Sequence, residues 1–361
     1  MNILAIETSF DDTAVAVLSD RRVLSSVVSS SVDLHKKWGG VVPDISRRAH
    51  IENIDAVFKE ALFRSRVPLS SLDYIAVTYG PGLAIDLEVG LEFAKKLSKK
   101  NNIPLVPVNH MEGHLLSPFL LNSKGRGLIE KIDKSFLFPA IGILVSGNHT
   151  ELILISDFGK YTRLGETLDD AAGEAFDKVG RMLNLGFPGG PVVSEFAKKG
   201  KKGKISFSIP MKNSSDLNFS YSGLKTACLY RSQDLRKEFR KENEWVYDFC
   251  RGFVEAVGDS LILKLEKAIM KSGLIPLSFN IFTDICTGLL FISPTLGGKG
   301  RYDTCTCKMS LGFFVFITLL ASRKSLLPIS PTVPPISTIV TSVFFNSETS
   351  VIQRIASRGI W

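Results

Sequence analysis

The chain has 361 residues, 45% of them hydrophobic and 22% charged, and a formal net charge of +8. That length suffices for two domains with separate cores, and the composition excludes disordered and collagen-like classes. The longest apolar stretch, Leu311 to Ala321, is about half of the roughly 20 residues a spanning helix needs, so no membrane segment is expected.

In chain order, Ile3–Ile6, Thr13–Leu18 and Val23–Ser26 read as three short strands joined by polar turns, the first turn being Glu7-Thr-Ser-Phe-Asp-Asp12. No charged leader or long apolar h-region precedes them, so a cytoplasmic location is expected. A helix is expected over Ile45 to Phe63, a strand at Tyr74–Thr78, a second helix over Gly90 to Lys100 and a strand at Leu105–Val108. The opening pattern then recurs about 138 residues later, with strands at Ile141–Val145, Thr150–Ile155 and Tyr161–Leu164 and the turn Ser146-Gly-Asn-His149. Helices over Leu168 to Leu183 and Trp245 to Lys271 follow. A repeat of this period indicates a duplicated α/β fold of two lobes with a cleft between them, since solenoid repeats are far shorter. Cys228 and Cys250 read as reduced core residues, and Cys305 and Cys307 lack the companion pair of a zinc site.

The texture changes after Ser272. Residues 1–272 are about 26% charged; residues 273–361 are about 11% charged, with 21 Ser or Thr and six prolines. No heptad, clean alternation or cap-to-cap segment is sustained there. A divergent extension and an out-of-frame translation both have this appearance.

Two features carry chemistry. Tight turns dense in Ser, Gly and Thr offer backbone N–H groups to phosphate oxygens, although such turns are also ordinary hairpin connections. His110-Met-Glu-Gly-His114 opens a helical stretch after Leu105–Val108, and imidazoles four residues apart on a helix can reach one metal ion. The same spacing also occurs in surface and capping histidines. Glu112 lies two residues from each histidine, about 200° round the helix, which argues against a zinc peptidase. Two histidines need a further protein or substrate ligand to complete a metal shell.

Taken together, Ile6-Glu-Thr-Ser-Phe-Asp-Asp-Thr13, Gly39-Gly-Val-Val-Pro43, Gly80-Pro-Gly-Leu83, His110-Met-Glu-Gly-His114, Val145-Ser-Gly-Asn-His-Thr150, the segment Gly165–Lys178, Phe187-Pro-Gly-Gly-Pro191 and Phe219-Ser-Tyr-Ser-Gly-Leu-Lys-Thr226 resemble the TsaD family. Its members are tRNA N6-adenosine threonylcarbamoyltransferases, once called O-sialoglycoprotein endopeptidases, and the resemblance runs from Met1 to about Ser272, closest to the bacterial and organellar branch. It implies a duplicated actin-like (ASKHA, ribonuclease H-like) fold, with a first lobe over residues 1–110, an incomplete second lobe over 111–272 and an aberrant tail over 273–361. It also implies transfer of the threonylcarbamoyl group from threonylcarbamoyl-adenylate to N6 of the adenosine beside the anticodon, in tRNAs reading codons that begin with A. By resemblance His110 and His114 hold one divalent ion, iron or zinc. Leu144, Val145, Ser146, Gly147 and Asn148 line the nucleotide turn, and Asp177 and Gly190 form the facing wall. Partner proteins of the same pathway are implied as well.

The chain departs from the family pattern in three places. Phe10 replaces a Cys, and Asn148 replaces a Gly whose left-handed backbone angles Asn tolerates. Beyond Ser272 the family's last nucleotide motif and the segment bearing its third metal ligand are not recognisable. Thr283-Asp284 shares two letters of that segment, too early in the chain, and is not assigned. An impaired transferase with an unfinished second sheet is therefore expected. Lys95, Lys96, Lys99 and Lys100, and the run Lys198, Lys199, Lys201, Lys202 and Lys204, suit a polyanion such as tRNA, although lysine clusters are also common on solvated faces. The rival readings are a non-catalytic actin-like subunit of a tRNA-modification complex and an actin-like sugar kinase.

Overall fold

The computed structural model describes residues 1–127, 138–239 and 244–272 in full, and the backbone of residues 289–292 and 315–320. These residues fall into two compact units, one ending at residue 127 and the other beginning at residue 138.

In the first unit, β1 (Asn2–Glu7), β2 (Asp12–Ser19), β3 (Arg22–Ser30), β4 (Tyr74–Gly80) and β5 (Leu105–Asn109) form a sheet in the order β3-β2-β1-β4-β5. The first three strands are an antiparallel meander; β4 runs parallel to β1, and β5 to β4. Side chains of a strand alternate between faces, and β1 uses both faces as core. Leu4 and Ile6 join Val15, Val17, Ile54 and Phe58 in one cluster, while Ile3 and Ala5 join Ala16, Leu18 and Val108 in another.

The described residues of this unit form four α-helices: α1 (Val32–His35), α2 (Pro43–Ser65), α3 (Ala84–Asn101) and α4 (His110–Leu116). Pro43 opens α2 because its ring presets a helical φ and its missing N–H is not needed there. Arg66 and Asn102 end α2 and α3 in the left-handed region, at φ 58 and 54°. Both helices begin before the expected Ile45 and Gly90: Pro43 and Asp44 give α2 no apolar signal, whereas α3 opens on the apolar Ala84, Ile85 and Leu87.

In the second unit, β6 (Ala140–Val145), β7 (Thr150–Asp157), β8 (Lys160–Glu166), β9 (Leu289–Ile292) and β10 (Val315–Leu320) form a sheet in the order β8-β7-β6-β10-β9. The meander of the first sheet is repeated, as the duplication predicts. The other side of β6, which the sequence left without a recognisable partner, is covered by β10 from the tail, with Val315 opposite Val145 and Leu320 opposite Ala140. β10 runs antiparallel to β6, whereas β4 in the first sheet runs parallel to β1.

The helices are α5 (Ala172–Met182), α6 (Gly189–Lys199), α7 (Ser222–Glu238) and α8 (Trp245–Ser272). Their core joins Phe176 and Val179 to Phe253 and Val257, with Ile141, Ile143, Phe219 and Tyr221. Cys228 and Cys250 are buried free thiols in this core, as expected, and burial pushes the Cys250 thiol up to about 12. Cys305 and Cys307 lie outside the described residues. α5 begins at Ala172, not at the expected Leu168, because the two aspartates before it bind elsewhere. Asp169 accepts from Tyr221 N at 2.8 Å and Ser222 Oγ at 2.6 Å, which caps α7, and Asp170 pairs with Lys178 and Lys225. Burial opposes ionisation of both carboxyls, but these partners outweigh it and hold both below the usual carboxylate range.

Candidate functional site

The histidine pair stands where β5 passes into α4. Asn109 caps that helix, its side chain accepting from Met111 N and Glu112 N, so His110 and His114 are placed on successive turns. Their rings meet edge to face with centroids 4.8 Å apart. His114 is buried. His110 Nδ1 lies 3.0 Å from Ser9 Oγ and 3.5 Å from Glu7 Oε2, both in the turn after β1. Glu7 is itself fixed: Oε1 accepts from Ser9 N, and Oε2 accepts from the Thr78 hydroxyl on β4. Burial would raise the Glu7 carboxyl, but the His110 charge and the hydrogen bonds from His110, Ser9 and Thr78 hold it below the usual range.

A carboxylate behind one ring nitrogen fixes the tautomer and raises the basicity of a metal-binding imidazole. The donor set therefore fits a divalent ion, which would take the other nitrogen of His110. Among the described residues no group of three or more His, Cys, Asp or Glu converges on one point, so these two imidazoles are a partial set. The sequence reading assigned no third ligand. Thr283-Asp284, left unassigned there, lies outside the described residues.

Sequence reasoning missed what holds the first turn. His35 is fully buried; Val42 N donates to its Nδ1, and Ser31, 3.0 Å from its Nε2, donates to Asp11 O. His50, also buried, places Nδ1 2.7 Å from Thr13 Oγ1 and Nε2 2.7 Å from Phe10 O. A carbonyl only accepts, so His50 Nε2 carries a proton. The Ser46 hydroxyl lies 2.7 Å from the same carbonyl and 2.9 Å from Asp86 Oδ2. Its single hydrogen can serve only one of them. Burial pushes the Asp86 carboxyl up despite Ser46, His50 and Arg47, and its Oδ1 has no hydrogen-bond partner among the described residues. Neither buried histidine sits at metal-ligand spacing, and no pattern in the sequence ties them to the turn.

In the second unit the turn Ser146-Gly-Asn-His149 closes on itself. Ser146 N donates to His149 O at 2.7 Å, and Ser146 Oγ accepts from Asn148 N at 3.3 Å and His149 N at 2.9 Å. Three of the turn's four N–H groups, those of Ser146, Asn148 and His149, are thus used within the turn, while Gly147 and Asn148 stand exposed at its tip. Asn148 is not among the residues with positive φ, so its left-handed tolerance is not used. α5 packs directly beneath: Gly173 N donates to Ser146 O, and a Cβ on Gly173 would lie 2.5 Å from that oxygen. The positive end of α5 therefore abuts the turn. Leu144 and Val145 are buried, and their backbones pair with β7 on one side and β10 on the other. Asp177 accepts from Gly189 N at 2.7 Å at the start of α6, which carries the buried Gly190. Burial raises the Asp177 carboxyl even so.

No helix among the described residues is long and apolar enough to cross a membrane. The chain matches the family TsaD, tRNA N6-adenosine threonylcarbamoyltransferase, over residues 22–277. The tRNA N6-adenosine threonylcarbamoyltransferase of Thermosipho melanesiensis is 48% identical over 268 residues, which cover 74% of this chain and 77% of that protein. The protein of the same name from Thermosipho africanus is 45% identical with the same coverage. That of Clostridioides difficile is 44% identical over 281 residues, 78% of each chain.

Proposed function

Because the chain belongs to the TsaD family of tRNA N6-adenosine threonylcarbamoyltransferases, we propose that it moves the threonylcarbamoyl group of threonylcarbamoyl-adenylate to N6 of the adenosine beside the anticodon, in tRNAs reading codons that begin with A. The observation that carries this reading is the imidazole pair on α4 with Glu7 and Ser9 behind His110. His110 and His114 would hold one divalent ion, iron or zinc. Bound there, the ion would supply Lewis acidity that makes the carbamoyl carbonyl more electrophilic toward the weakly nucleophilic N6 amine, with AMP as the leaving group.

The chain's own residues do the rest. Glu7 and Ser9 fix the His110 ring, and His35, His50 and Ser46 hold the turn that carries Ser9. In the second unit the exposed tip of the Ser146 turn, with α5 beneath it, receives the adenylate; Leu144 and Val145 contribute the strand that positions it. The enzyme works in the cytoplasm with partner proteins of the same pathway. With the tail replacing the family ending, its transfer rate is low.

The test is threonylcarbamoyl transfer to an unmodified tRNA transcript, with metal content measured on the same sample. Transfer abolished by His110→Ala and by His114→Ala is the expected result. Transfer unchanged in both variants refutes the assignment. A second reading is a non-catalytic subunit of a modification complex; a metal-free, inactive chain that still binds the pathway's proteins would establish it.

A further inference from the structure

The last turn of α6 and the loop after it read Lys198-Lys-Gly-Lys-Lys-Gly-Lys204, and all five lysines are exposed. The loop is held in one conformation by its glycines and by α8. A Cβ on Gly200 would lie 2.2 Å from Tyr247 O and 2.7 Å from Arg251 Cβ, so only glycine permits this approach. Gly203 sits at φ 77°, in the left-handed region. Lys201 N donates to Asp248 Oδ1 at 2.7 Å, and the buried Ile205 closes the loop against Gly252, where a Cβ would lie 2.1 Å from Ile205 O. The backbone is pinned at both ends while the ammonium groups stay in solvent.

The acids nearby are already committed. Glu195 pairs with Lys198, and Asp248, largely buried, takes Lys201 N and faces Lys204 at 3.6 Å. Lys199 lies over the Tyr247 ring, 5.5 Å from its centroid. Among the described residues no carboxylate comes within ion-pair range of Lys199, Lys201 or Lys202. Other lysines of the unit differ: Lys264, Lys267 and Lys271 donate to backbone carbonyls of the segment 212–216 and so have structural work. On α3, Lys95 pairs with Glu92.

We propose that the 198–204 loop is a preorganised phosphate-backbone contact for the tRNA substrate, with Lys199, Lys201 and Lys202 as its principal groups. This rests on the tRNA reading above. A cationic segment with an anchored backbone, and no carboxylate on Lys199, Lys201 or Lys202 among the described residues, releases counterions from a polyphosphate at little cost in ordering. A membrane surface is the poorer partner, because anchoring there needs exposed apolar side chains, and the apolar residues beside the loop, Ile205 and Phe196, belong to the core.

The experiment measures binding of an unmodified tRNA transcript across salt concentration. It uses the full chain, the variant Lys199→Gln/Lys201→Gln/Lys202→Gln, and a charge-matched control, Lys36→Gln/Lys59→Gln/Lys160→Gln. Thermal melting checks that both variants are folded. The loop variant is expected to bind on the order of 10²-fold more weakly at 50 mM salt, with a salt slope reduced by about 2–3, while the control keeps affinity and slope. Equal loss in both variants overturns the proposal, because net charge and not the loop would then be responsible. Unchanged slope in the loop variant also overturns it. Loss of binding to phosphatidylserine vesicles without loss of tRNA binding assigns the loop to a membrane and overturns it too. If the unaltered chain binds no tRNA at any salt, the tRNA reading itself fails.

Discussion

Glu7 and His110 are about a hundred residues apart in sequence, yet one backs the other at 3.5 Å. Removing a carboxylate behind a metal-binding imidazole typically weakens metal affinity about 10–100-fold. Glu7→Gln is expected to do this in a metal titration, leaving the melting temperature of the metal-free chain much less affected. Asp11 gives a prediction in pH. Burial, helped by the Asp12 charge, lifts its carboxyl to about 6. Its unfolded value is about 3.9, so the folded chain binds the extra proton between these values and loses stability as pH rises from about 4 to about 6. Asp11→Asn should flatten that part of the stability curve in denaturant titrations. Asp86 acts in the same direction, its folded value being raised by burial. The sequence displayed the metal-type histidines because their spacing is a pattern. It hid His35 and His50 because a hydrogen bond to a distant carbonyl leaves no periodic trace.

At the scale of elements, most strands were legible, since β1, β2, β6 and β7 are apolar runs between polar turns. Helix starts were less so. α5 was misjudged by four residues because Asp169 and Asp170, which look like a helical first turn, bind α7 and two lysines instead. Asp169→Ala removes the acceptor at the start of α7 and should cost about 1–2 kcal/mol in urea unfolding. The Ser146 turn was foreseen as a loop of unused N–H groups, but the Ser146 hydroxyl takes two of them, a local bond that composition does not reveal. Gly173→Ala would press a Cβ onto Ser146 O, a backbone atom that cannot swing aside, and should cost about 1–3 kcal/mol while displacing the turn. Loss of transfer beyond the fraction unfolded would show that α5 and the turn act as one piece.

At the scale of the whole chain, the family match stops at residue 277 of 361, close to where charged residues become sparse. The relatives are covered over only 77–78% of their length, so roughly a fifth of each has no counterpart here. Replacing residues 273–361 by the ending of the Thermosipho melanesiensis protein is expected to raise the transfer rate and metal content together. Equal rates in the two chains would dismiss the idea of impairment. The duplication was readable because its strand–turn–strand order repeats, whereas β9 and β10 were not: nothing in the run from Gly312 to Leu320 marks where a strand should begin.

The direction of β10 has a consequence for the rim on which the Ser146 turn stands. Where strands run parallel, as β1 and β4 do, the connections leaving both emerge along one rim, the usual place for ligands in α/β sheets. Beside β6 the order is reversed: Val315 faces Val145, so the tail arrives at the Ser146 rim as it enters β10 and departs at the far border. β9 follows the same heading. At that rim β9 and β10 present their first residues, Leu289 and Val315.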